Sequence, residues 1–213
     1  MHRLALGALM GLMMMASGAA RAKDSFVLDS ASKLSIEGDS TLHKWSARAR
    51  VVKLTTSAAD STDGATADVE AAIRAGHFKG AELSVPAAGL TSGEDGLDDN
   101  MRKALKAGPF PSIVFHIDTY EALPPTADSE LMKLDLHGTL TIAGVARPVD
   151  VIAQVSRATS GVRIQGSKLV RMTDFKVEPP VLMFGAIKTA DQVEVKFELV
   201  LRSVAGSSME AGR

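Results

Sequence analysis

The groups able to do chemistry in this sequence are few and scattered. Past the first 22 residues there are four histidines, His43, His77, His116 and His137. No two have the spacing of metal ligands on one helix or in a tight Cys/His cluster. Cysteine is absent, so thiol catalysis, disulfides and lipid attachment at a cysteine are excluded. The serines occur in no G-x-S-x-G, and there is no H-E-x-x-H and no phosphate-binding glycine loop. The acidic run "EDGLDDN", residues 94–100, suggests a calcium loop, but its spacing does not fit an EF-hand and it runs straight into a helical pattern. Alternation puts His116 and His137 on outward strand faces, where a histidine is an ordinary surface residue. His77 sits in the loop-like "GHFKG", and His43 shares parity with Trp45 at the end of a strand. These residues give no catalytic constellation, no metal site and no cofactor. What remains is binding.

The elements that would position a binding site are mostly strands. "DQVEVKFELVLR", 191–202, puts Val193, Val195, Phe197, Leu199 and Leu201 on one face and Gln192, Glu194, Lys196, Glu198 and Arg202 on the other, the pattern of a half-buried antiparallel strand. "KLDLHGTLTI", 133–142, repeats it with Leu134, Leu136, Leu140 and Ile142. "PVDVIAQVS", 148–156, gives Val149, Val151, Ala153 and Val155, and "HKWSARARVVK", 43–53, gives Trp45, Ala47, Ala49 and Val51. Weaker alternation predicts strands within 26–37, 66–74, 81–88, 112–120 and 161–170. Two polar stretches, 55–66 and 121–130, read as surface loops. About eight one-faced strands cannot share a core as an open single sheet, so an antiparallel barrel or two packed sheets follows.

One segment breaks the alternation. Over 97–107 the apolar residues Leu97, Met101, Ala104 and Leu105 have helical spacing. Asp98 and Asp99 complement the positive end of a helix dipole, Lys103 and Lys106 the negative end, and Gly108 suits the position after the last turn. The expected role is a plug: the apolar stripe covers one mouth of the barrel while the charges stay in water.

The first residues, "MHRLALGALMGLMMMASGAARA", carry basic groups, a short apolar run and then Ala20-Arg21-Ala22. This is the order of a signal peptide cut before Lys23, and the run is too short for a membrane span of roughly 20 residues. Cleavage leaves 191 residues, 23–213, as one domain with 22 basic and 25 acidic groups. That composition shows no clustered positive charge for nucleic acid and no polybasic membrane segment. An outer-membrane barrel is excluded by the charged outward faces and by a single Trp and a single Tyr, too few for aromatic girdles. The sequence leaves a homodimer open.

Inward positions mix small residues (Ala47, Ala49, Ala67, Ala71, Ala87, Gly138, Ala153, Gly166) with larger aliphatics. Small inward residues serve either close packing or an open lumen, and both readings stand. On the open-lumen reading, enlarging Ala47 and Ala153 should fill the cavity. The segments "EGDSTLHKWS", "LDDNMRKALKAGPFPSIVF", "LHGTLTIAGVARPVDV", "GSKLVRMTDFKVEPP" and "DQVEVKFELVL", in this order, resemble the YceI-like family of exported, lipocalin-like proteins over essentially the whole mature chain. The sequence departs from the commonest form at "STLHKWS", which replaces a more aromatic and basic opening. The resemblance implies a single antiparallel, lipocalin-like β-barrel around an apolar pocket and a long-chain, polyisoprenoid-like lipid as partner. It implies no catalytic residue, so a carrier or sequestering role is expected. The alternative is a structural or stress-response module with a self-filled barrel. The candidate lumen residues are Trp45, Ala47, Val51, Val85, Phe115, Ile117, Leu136, Val151, Ala153, Ile164 and Phe197. Phe175, Met183 and Phe184, in "MTDFKVEPPVLMFGAI", are candidates for a lid. Arg48, Arg50, His43, Lys168 and Arg171 are the candidates for meeting a headgroup.

Overall fold

Alternating apolar residues need a second apolar surface to face, and in this chain they find it across one curled antiparallel sheet. The computed structural model describes residues 25–56, 68–125, 131–159 and 161–204. The expected signal peptide, most of the first expected loop and half of the second, 126–130, lie outside them. In chain order the elements are β1 (Ser25–Leu28), β2 (Lys33–Ser40), β3 (Trp45–Ala49), β4 (Lys53–Thr55), α1 (Val69–Arg74), β5 (Glu82–Pro86), β6 (Leu90–Thr91), α2 (Asp95–Ala104), β7 (Ser112–Leu123), β8 (Met132–Ile142), β9 (Val145–Ala158), β10 (Gly161–Arg171), β11 (Val181–Leu182) and β12 (Ile187–Val204). Short 3-10 turns occupy Ala87–Gly89, Thr173–Phe175 and Met183–Gly185.

The hydrogen-bonded order is β4-β5-β7-β8-β9-β10-β12-β2-β3-β6, with β1 and β11 added along β12. Its two ends are halves of the same pair of bent strands. β3 runs on into β4 and β5 into β6; β3 pairs with β6 while β4 pairs with β5. Between them Arg50 N–H donates to the Gly89 carbonyl at 3.0 Å. The sheet therefore closes on itself through an irregular joint, as an eight-strand lipocalin-type barrel, which leaves few unpaired edges.

The joint also resets parity. Ala49 is the last inward residue of β3, and the next inward positions are Val52 and Leu54, which face the lumen, while Val51 is 48% exposed. Val51 is therefore not a lumen residue: an irregularity in one strand flips every side chain beyond it. β7 does the same at Asp118, where its register with β8 shifts, so Ile113, Phe115 and Ile117 point inward and the next inward residue is Tyr120.

Helix α1 corrects the expected strand at 66–74. Its apolar residues Val69, Ala72 and Ile73 recur at i, i+3 and i+4 and are buried. Asp68 caps the first turn by accepting from Glu70 N–H at 2.9 Å, and Arg74 pairs with Glu70 at 2.9 Å one turn apart. Val69, Ala71 and Ile73 alternate as a strand's residues would, yet Val69, Ala72 and Ile73 share a helix face, and so short a stretch carries both periods. The described residues thus include two short α-helices, one at each end of the barrel. α1 packs with Phe78, Val155, Val162 and Leu201 in the core cluster at one end. α2 packs with Val85, Leu90 and Ile113 at the other.

Candidate functional site

The inward faces enclose an apolar cavity of about 260 Å³. Its wall is built by large residues, and the small inward ones serve to seat them. Gly38 lies directly across from Trp45, and a Cβ there would fall 2.3 Å from the indole ring. Gly166 faces Phe197 in the same way, its added Cβ 2.8 Å from the ring. At Gly138 a Cβ would meet the Phe115 ring at 2.7 Å. Three glycines thus let three aromatic rings lie flat on neighbouring strands, and all three rings face the lumen.

Of the expected lumen residues, Trp45, Val85, Phe115, Ile117, Leu136, Val151, Ile164 and Phe197 line the cavity, and so does Phe175 from the expected lid. Ala47 and Ala153 do not. They are about 1% and 0% exposed, packed among side chains that leave no lumen surface to them. Phe184 projects into solvent, fully exposed on a residue with φ of 54°; for Met183 only the backbone is described. Two residues that close the far end are not among those expected from sequence: Ile73, on α1 where a strand is expected, and Phe78, in the turn that follows α1. The helical spacing of Val69, Ala72 and Ile73 was the signal available.

The near end is covered by two structures. Leu97, Met101, Ala104 and Leu105 of α2 reach the cavity as a stripe. Beside them, the segment 172–180 is held down by its own apolar residues, Phe175 and Val177, both 3% exposed. Asp191 fixes its first turn, accepting from Thr173 N–H at 2.9 Å and Thr173 Oγ1–H at 2.7 Å, and these donors lower the Asp191 pKa.

One expected surface charge is buried. Asp98, 5% exposed, accepts from Ser92 N–H at 2.6 Å, Ser92 Oγ–H at 2.7 Å and Thr91 Oγ1–H at 2.7 Å. Those donors hold its pKa down at about 2. Asp98 therefore moors α2 to the end of β6, whereas Asp99 stays on the surface paired with Arg102.

Polar groups reach the cavity wall at few points. Tyr120 spends its hydroxyl on the protein, donating to the Ile73 carbonyl at 2.7 Å and accepting from Phe78 N–H at 3.3 Å. Lys168 is the charged residue of the lining, at an inward position of β10. His43, Arg48, Arg50 and Arg171 lie exposed, outside the lining. His116 and His137 are on the outer surface beside carboxylates; the hydrogen bond to Asp150 raises the His137 pKa. Among the described residues no group of three or more His, Cys, Asp or Glu side chains is placed to hold a metal ion. No helix among them is long and apolar enough to cross a membrane.

Three solved structures show the same architecture. A polyisoprenoid binding domain from Saccharophagus degradans aligns with a TM-score of 0.61 at 19% identity, covering 84% of this chain and 98% of that one. Burkholderia cenocepacia BcnA aligns at 0.58 and 19% identity, covering 79% and 95%. The Campylobacter jejuni YceI protein aligns at 0.51 and 17% identity, covering 74% and 84%. No curated protein matches the chain significantly. The sequence signature of the YceI-like domain matches residues 26–201, nearly every described residue, and the chain belongs to the YceI-like family.

Proposed function

We propose that the protein is an exported, soluble carrier or sequestering protein that holds one long apolar or amphiphilic chain in its barrel and catalyses nothing. The observation that carries this reading is the cavity itself: a continuous lumen walled by aliphatic and aromatic side chains, with no acid–base or nucleophilic constellation facing it. Membership of the YceI-like family and the likeness to the Saccharophagus degradans polyisoprenoid binding domain support a ligand of this class. Size supports a single narrow chain. An apolar cavity of about 150 Å³ takes one benzene, so about 260 Å³ leaves room for one chain of acyl width and no second. At roughly 0.8 kcal/mol per methylene, burying a chain of about 16 carbons contributes about 13 kcal/mol before association costs. A bilayer offers the same gain, so the protein transfers or sequesters lipid between membranes.

Native mass spectrometry on protein purified without detergent, followed by organic extraction, tests this directly. A lipid adduct that disappears on extraction is expected. A barrel that never carries lipid, and takes none up from vesicles, supports instead a self-filled module acting through its surface. Export is tested by N-terminal sequencing of the extracytoplasmic fraction, which should begin at Lys23.

A further inference from the structure

Among the described residues, the polar side chains of the lumen that are not committed to the protein sit towards one end, and each can donate. Lys168 on β10 pairs in register with Val195 of β12, which pairs with Ile36 of β2, which pairs with Ala47 of β3. Trp45 is the next inward residue of β3 towards the β2–β3 turn, so it stands one step beyond the level of Lys168, on the side of α2. Thr189, also in the lining, belongs to the same end of β12 and lies opposite Ser40. Lys168 makes no ion pair or hydrogen bond among the described residues. The Trp45 indole N–H is buried and has no acceptor. Among the described residues no Asp, Glu, Asn or Gln lines the cavity.

The opposite end offers a ligand nothing polar. Val162, six residues along β10 from Lys168 or roughly 20 Å of strand, is buried against α1 and Leu201. The hydroxyl of Tyr120 there is already committed to Ile73 and Phe78. A chain with a polar head can therefore lie in the lumen in one direction.

We infer that the lumen selects an anionic single-chain amphiphile, its carboxylate or phosphate head at Lys168, at the end of the lumen where Trp45 stands, and its tail running towards α1. An unpaired ammonium on an apolar wall calls for an acceptor, and an oxyanion supplies one together with the opposite charge, whereas an alcohol answers the charge poorly. This inference rests on the lipid-binding reading above and adds the head group and the orientation.

The sequence supplies its own reporter, because Trp45 is the single tryptophan. The protein, stripped of lipid on an apolar resin, is titrated with palmitic acid, hexadecyl phosphate and hexadecan-1-ol while Trp45 emission is followed. Both anions should bind at least tenfold more tightly than the alcohol, and whichever binds better identifies the head as carboxylate or phosphate. In Lys168→Met the anions should fall to the level of the alcohol, whose affinity stays unchanged; Lys168→Arg should keep the preference. A bromine at carbon 2 of the fatty acid should quench Trp45 more than one at the last carbon. Equal binding of alcohol and anions by the unmodified protein, an undiminished preference in Lys168→Met, or stronger quenching from the tail bromine each overturns the inference while leaving lipid binding intact. Failure of all three compounds to bind overturns both.

Discussion

The strain in this barrel is concentrated at single residues that hold left-handed backbone without being glycine. Both described helices end in the same motif: the second residue past the cap donates back five residues, His77 N–H to Ala72 and Ala107 N–H to Arg102, while the first donates to Ile73 or Lys103. That geometry needs positive φ at the first residue past the cap. α1 supplies Gly76 at φ 83°, but α2 supplies Lys106 at φ 52°. Gly108, the residue expected from sequence to end α2, comes two residues too late. A side chain in this region is disfavoured, so Lys106→Gly should stabilise the fold by about 0.5–1 kcal/mol after the entropy cost of glycine, about 2 °C in a thermal melt. The converse holds at Gly38, where a methyl would enter the Trp45 ring. Gly38→Ala should cost about 1–3 kcal/mol by overpacking and shift the emission of Trp45; an unchanged melt and spectrum would show that the ring is not seated on the glycine.

At the scale of elements, the parts legible in the sequence are those where one period runs unbroken. β8 and β9 alternate from end to end, and β12 does so from Val193 onward, past an irregularity in its first residues, so their inward faces are nameable residue by residue, down to Leu136, Val151 and Phe197. Legibility failed where the period is broken by something local. Val51 was placed inside because nothing in "SARARVVK" announces the joint between β3 and β4. The α1 stretch is too short for its period to choose between strand and helix. Asp98 was read as a helix-dipole charge because its partners, Thr91 and Ser92, precede the helix and come into reach only once the turn is made. Its role is a mooring, and this has a pH signature. The folded-state pKa, about 2, is below the ordinary 3.8, so the carboxylate contributes stability that is fully present above about pH 4 and is lost as pH falls towards 2. Melts between pH 5 and 2 should show this loss, and Asp98→Asn should lower the melting temperature at pH 7 and flatten the acid limb. Asp99→Asn, losing only an exposed pair with Arg102, should change neither by more than about 0.5 kcal/mol.

For the molecule as a whole, the question is whether the lumen is a space the fold keeps open or a flaw in its packing, and two substitutions of similar size separate these. Ala153 on β9 pairs with Leu134 and Gly166 on its two neighbours and is fully buried. Ile164 on β10 is partly buried and faces the lumen. Ala153→Leu has no room to enter and should cost about 1–3 kcal/mol, read as a lower melting temperature with ligand affinity little changed in the folded fraction. Ile164→Phe places its extra atoms in empty space, so the lipid-free protein should melt at the same temperature or higher, while affinity for a long-chain ligand falls at least tenfold. The unmodified protein should in turn melt higher with lipid than without. A ligand at a hundred times its Kd adds about 2.7 kcal/mol to the stability of the folded state, and Ile164→Phe should lose most of that increment. If Ile164→Phe instead destabilises the lipid-free barrel as much as Ala153→Leu does, and lipid raises neither melting temperature, the lumen is ordinary core and the carrier reading fails. If it leaves the barrel intact and removes the lipid, the space between the strands is what the fold is built to hold.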